Sequence, residues 1–225
     1  MTEEKNEVVK RDDSINPVVD YYIHSPIVRG LINLVPYASG LDLAVATAYD
    51  NMAKRRVDDF FEALGRGEVR LTPEVIKSDE FLHRFMITVR AVTKQGEADK
   101  VQFFANLLKN GFDSATLSAA EYEELLEILD TLSARELRML DLMQQKVSGA
   151  AGNLKPGPLP SEYWNRIIES VAAAIGTSRE ELGAMLTRVQ RTGCYMENKS
   201  TSWDYGGQGY TTALWDKLQR FILES

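Results

Sequence analysis

Arg179, Thr187, Arg188, Gln190 and Arg191 lie on one short segment, REELGAMLTRVQR (179–191), with Lys199 a few residues beyond it. Leu182, Met185, Leu186 and Val189 recur there at helical spacing, which leaves the polar side chains on the opposite face. Arginine and glutamine can donate paired hydrogen bonds to base edges, and a nearby lysine can meet a phosphate. This constellation is the candidate DNA-contacting surface. Its charge is thin for that work, because Arg179 to Arg220 holds six basic and five acidic residues. Glu180 and Glu181 also sit where the segment starts, favourable to the helix dipole but repulsive to phosphate.

Other reactive side chains give less. Glu80-x-x-His83 has the spacing used in di-iron bundles, but such sites need a second copy and more glutamates. The only other histidine, His24, lacks that context. Cys194 is the single cysteine and no histidine is placed by sequence to serve as its base, so it reads as a buried structural thiol. The run GGQG (206–209) is not followed by Lys-Ser/Thr, so it is no phosphate cradle. No catalytic residue, metal ligand or cofactor-binding residue is assigned, and a non-enzymatic protein is expected.

The elements that must position these residues are mostly helical. Ser78 caps a helix carrying Phe81, Phe85 and Val89 on one stripe. Glu97 to Asn110 forms another, with Val101, Phe104, Leu107 and Leu108 inward and Asn110-Gly111 as its C-cap signature. Phe81, Phe85, Phe104 and Leu107 should therefore share one core. Ser118-x-x-Glu121, Ser133-x-x-Glu136 and Ser178-x-x-Glu181 are capping boxes opening three further helices. Glu121, Glu123, Glu124, Glu127 and Asp130 form an acidic face, expected to be solvated. Helices are expected over 134–147 and 161–175, with SGAAGNLKPGPLP (148–160) as a loop or linker. Strands are expected at Cys194–Met196 and Tyr210–Thr212, and a last helix from Ala213.

The first apolar block runs from Pro17 to Tyr49. Gly30 to Leu41 is uncharged, with Leu31, Leu34 and Val35 as candidate membrane contacts beside the basic Lys54-Arg55-Arg56. A spanning helix needs about 20 apolar residues, and Pro36 interrupts this run. The expectation is a buried helix, a bend at Pro36–Gly40, and a second helix from Asp42 to Leu64; membrane contact is the lesser alternative.

The chain of 225 residues carries 26 basic and 33 acidic residues, a net charge of -7. That argues against a strongly basic nucleic-acid binder without excluding a local basic face. Hydrophobic residues at 44 % and charged residues at 26 % are ordinary globular usage. The polar opening MTEEKNEVVKRDDS carries no apolar signal region, which points to a disordered tail over 1–16 and a cytoplasmic protein.

Helix, short turn, helix ending in glycine, strand, glycine-rich hairpin, strand, helix is an order that resembles the winged helix-turn-helix fold. VAAAIGTSREELGAMLTRVQRTGCYMEN (171–198) looks like its core. Over residues 80–223, KVQFFANLLKNGFD (100–113) and EILDTLSARELRMLDLM (127–143) resemble bacterial proteins of the abortive-infection alpha type. Thr211-Thr212-Ala213-Leu214 departs from the Leu-Thr-x-x-Gly usual there. The resemblance implies a helical domain over 17–132, a winged-helix-like domain over 133–225, and a role in phage defence with no reaction attached. The function expected is an interaction or regulatory protein with a protein partner or a second copy. A winged-helix transcriptional regulator is the runner-up, and a peripheral membrane-active effector comes third.

Overall fold

Buried aromatic residues organise the first half of the chain. Phe81 and Phe85, one helical turn apart, stack with centroids 6.1 Å apart. Phe60, Phe61 and Phe112 ring them at 5.1–6.3 Å. Phe81, Phe85, Phe104 and Leu107 are all fully buried in one cluster, as their shared stripes require.

The computed structural model describes residues 43–65, 78–113, 117–151, 160–198 and 208–223. These are mostly helical with one small antiparallel hairpin. The helices are α1 (Leu43–Gly65), α2 (Asp79–Lys94), α3 (Asp99–Asp113), α4 (Ala119–Thr131), α5 (Ala134–Ala151), α6 (Ser161–Ile175), α7 (Arg179–Gln190) and α8 (Ala213–Leu223). The strands β1 (Tyr195–Glu197) and β2 (Gly209–Thr211) lie between α7 and α8. Tyr195 pairs with Thr211, Met196 with Tyr210 and Glu197 with Gly209. The tail 1–16, the block holding Leu31, Leu34 and Val35, and Lys199 lie outside the described residues. No helix among the described residues is long and apolar enough to cross a membrane.

The helix starts follow local chemistry. Ser78, Ser118 and Ser178 each accept from the backbone amide three residues on. Ser118 and Ser178 complete the capping box with Glu121 and Glu181. Ser133 and Glu136 make the same reciprocal contacts at the start of α5. Gly176 ends α6 in the left-handed region, which suits a residue without Cβ.

Two helix ends run several residues past expectation. Asn110-Gly111 does not end α3, which runs on to Asp113. A Cβ at Gly111 would lie 3.1 Å from Leu117 and 3.2 Å from Tyr122, so glycine here admits a close neighbour. The Asn110 side chain donates to the Phe221 carbonyl at 2.9 Å, and Asn106 donates to Ile222 at 2.8 Å. These two asparagines satisfy carbonyls that the end of α8 leaves without helical partners. The expected loop over 148–160 also begins later, because α5 continues through Gly149 to Ala151.

Arg84 ties the end of α3 to Leu117, just before α4. Its guanidinium donates to the carbonyls of Gly111 (2.9 Å) and Leu117 (2.8 Å) and lies over the rings of Phe112 and Tyr122. The Tyr122 hydroxyl lies 2.6 Å from that of Thr88. The last helix packs back against α3 and reaches α4 and α5. Trp215 is fully buried and donates to Gln144 on α5 at 2.6 Å, while Lys217 pairs with Glu121 on α4. The buried side chains from Val57 to Ile222 form one cluster.

Candidate functional site

Helix α7 owes its position to its apolar stripe. Leu182, Met185, Leu186 and Val189 are buried, and the polar residues between them are exposed. The segment that follows is fixed by short-range bonds. The Thr192 hydroxyl donates to the Val189 carbonyl, and Gly193 adopts φ 77° before the buried Cys194. Burial pushes the Cys194 thiol up from its ordinary value, which suits a structural thiol rather than a nucleophile.

The candidate DNA-contacting side chains are not equally free. Arg179 donates to Asn165 at 2.5 Å and lies 3.8 Å from Glu169, both on α6. The Thr187 hydroxyl donates back to the Gly183 carbonyl at 3.0 Å. Gln190 and Arg191 are exposed. Arg188 reaches across to α5. Its Nη2 lies 2.8 Å and its Nε 2.9 Å from Oε1 of Glu136.

Glu136 is a junction. Its side chain is 6 % exposed, against 62 % for Arg188. Its other oxygen accepts from the Ser133 amide and hydroxyl, both at 2.9 Å. Burial pushes this carboxyl up, but the Ser133 and Arg188 donors outweigh burial and hold it below the ordinary carboxylate range. The carboxylate thus caps α5 and holds α7 at once.

Arg188 and Arg191 are brought together on one wall of an open cleft of about 440 Å³. Glu124, Glu127 and Thr131 of α4 line the facing wall. The buried Ile128 and Leu132, with Glu136 and Thr192, complete the lining. The acidic face of α4 is exposed as expected at Glu123, Glu124, Glu127 and Asp130, with Glu121 half-buried, and several of its residues also have partners. Glu121 pairs with Lys217, Glu123 lies 2.9 Å from the exposed His83, and Asp130 accepts from Gln95. Glu124 and Glu127 face the cleft. Sequence spacing had no means of finding this, since Glu136 and Arg188 are 52 positions apart.

His83 meets a carboxylate on α4 rather than a second Glu-x-x-His motif. Among the described residues no group of three or more His, Cys, Asp or Glu side chains is placed to hold a metal ion. Comparison of the chain with protein-family models, with curated proteins and with solved structures found no match in any of the three.

Proposed function

We propose that the chain is a non-enzymatic interaction module whose last elements, from α5 to α8, act as a winged-helix-like unit that contacts protein rather than DNA. The observation that carries this reading is the engagement of two Arg188 nitrogens by one oxygen of the buried Glu136 carboxylate. A recognition helix needs its basic side chains free to reach bases and phosphates. Here the central arginine, though exposed, is tied to a carboxylate of α5. Arg191 beside it looks across a cleft at Glu124 and Glu127, which repel a phosphate backbone. Arg179 is turned toward α6. The resemblance to abortive-infection alpha-type proteins supports a cytoplasmic bacterial defence or stress setting for such a module.

The test is equilibrium binding of the full-length chain to a pool of random DNA duplexes across a salt series. Binding should be no tighter than the ~10⁻⁴–10⁻⁶ M ordinary for non-specific contacts at physiological salt. A sub-micromolar Kd at physiological salt, lost on Arg188→Ala plus Arg191→Ala, overturns this reading in favour of a DNA-binding regulator.

A further inference from the structure

The outer face of the hairpin carries the one exposed sulfur-bearing side chain among the described residues. Side chains alternate along β1 and β2. Tyr195 and Gly209 turn inward, while Met196 and Tyr210, opposite one another in the register, turn out. Met196 is 49 % exposed and Tyr210 44 % exposed. Of the other described methionines, Met139, Met143 and Met185 are buried, and Met52 and Met86 are half-buried. Cys194 is buried too, and burial favours its protonated, unreactive form.

The Tyr210 hydroxyl lies 3.1 Å from the Met196 sulfur. A thioether has no proton to give, so the phenol donates and the sulfur accepts. That bond makes the two lone pairs of the sulfur unequal. One meets the hydroxyl, and the other has no partner among the described residues.

We propose that Met196 is a modification site for two-electron oxidants of the peroxide class, and that Tyr210 sets the hand of the sulfoxide formed there. The open lone pair of the sulfur attacks one peroxide oxygen. The O–O bond breaks as the S–O bond forms, and the departing hydroxide takes the proton from the transferred oxygen and leaves as water. Sulfur is oxidised by two electrons and the peroxide is reduced by the same two. Because the hydroxyl covers the other lone pair, one sulfoxide epimer forms in excess. The product is a polar group where an apolar side chain stood, so the outer face of the hairpin changes character without any change in the core. The chemistry is the same whatever the chain binds.

The test treats the full-length protein with limiting hydrogen peroxide, then digests it and follows each methionine by peptide mass. The two epimers at Met196 are resolved on the digest with reductases that each accept one of them. Met196 should be oxidised before Met52 and Met86, and those before Met139, Met143 and Met185. Its epimers should differ about threefold, the ratio that a hydrogen bond at the weak end of the ordinary range supports. Tyr210→Phe keeps the ring and removes the hydroxyl, so the two epimers should approach equality while the circular dichroism is unchanged. The urea-unfolded wild type should give equal epimers and comparable rates at every methionine. Oxidation of a buried methionine as fast as Met196 in the folded protein overturns the site. Equal epimers in the folded wild type, or a bias that survives in Tyr210→Phe, overturns the role given to Tyr210.

Discussion

Arg188 on α7 and Glu136 on α5 form a pair whose two members sit in opposite environments. The guanidinium is 62 % exposed and the carboxylate 6 % exposed, with Nη2 and Oε1 2.8 Å apart. Solvent can replace the carboxylate for Arg188, but little can replace Arg188 for Glu136 apart from the Ser133 donors that already hold its other oxygen.

The asymmetry makes the two halves of the pair unequal on mutation. Arg188→Ala leaves a buried carboxylate short of a charge-assisted bond and should cost about 1–3 kcal/mol at neutral pH. Glu136→Gln keeps a side-chain acceptor for Ser133 and releases Arg188 to water, so its cost should be smaller. The folded-state pKa of Glu136 lies below the ordinary 4.5, so its stabilisation is present above that value and fades as pH falls through the lowered one. The penalty of Arg188→Ala should therefore shrink in acid. Urea unfolding of both variants at neutral and acidic pH checks the order and the trend; an equal penalty at both pH values contradicts the pairing.

Phe104→Ala should cost about 3–5 kcal/mol, because the ring is fully buried and its loss leaves a cavity that fixed neighbours cannot fill. Chemical denaturation gives the number. A loss below about 1 kcal/mol contradicts the packing of α3 in the core.

Gly111 offers a test in which two effects of opposite sign compete. It lies inside α3, where alanine in place of glycine gains about 1 kcal/mol of helix propensity. The new Cβ would stand 3.1–3.3 Å from Leu117 and Tyr122. Leu117 is itself buried, and Tyr122 is fully buried, held by the Thr88 hydroxyl and covered by Arg84. Overpacking of this kind costs about 1–3 kcal/mol, so Gly111→Ala should be destabilising on balance. A rise in Tm would mean that Tyr122 yields.

What the sequence revealed and what it hid divide along one physical line. Capping boxes at Ser118, Ser133 and Ser178 are local, so their positions and partners were readable from spacing. The stripes that bury Phe81, Phe85, Phe104 and Leu107 follow helical period alone, and the order of helices, hairpin and last helix followed from punctuation by glycine and serine. Gly111 was misread because a glycine after asparagine marks a helix end equally well when its real cause is a side chain from another helix. Glu124, Glu127 and Glu136 were readable only as solvated or capping residues. The arginines they face come from a helix more than 50 positions away, and the cleft exists only once both are folded together. Burial and charge pairing across such distances leave no periodic trace in the chain.

Lys217 and Glu121 tie the last helix to α4, and their bond gives a pH signature that can be read without unfolding the protein. The Lys217 ammonium, with the Ser118 hydroxyl and amide, holds the Glu121 carboxyl down at about 2. Both partners are partly exposed, so the pair adds little to global stability. Its sign is nonetheless fixed. A lowered folded-state pKa stabilises the fold above the unfolded value near 4.5, and that contribution is lost between there and about 2. Side-chain carboxyl resonances followed by NMR should show Glu121 titrating well below the ordinary carboxylate range. Lys217→Met, which keeps most of the aliphatic stem, should raise that midpoint, while the Ser118 donors still hold it short of the ordinary value. An unchanged Glu121 midpoint in Lys217→Met would place the whole effect in the capping box and detach α8 from α4 at this point.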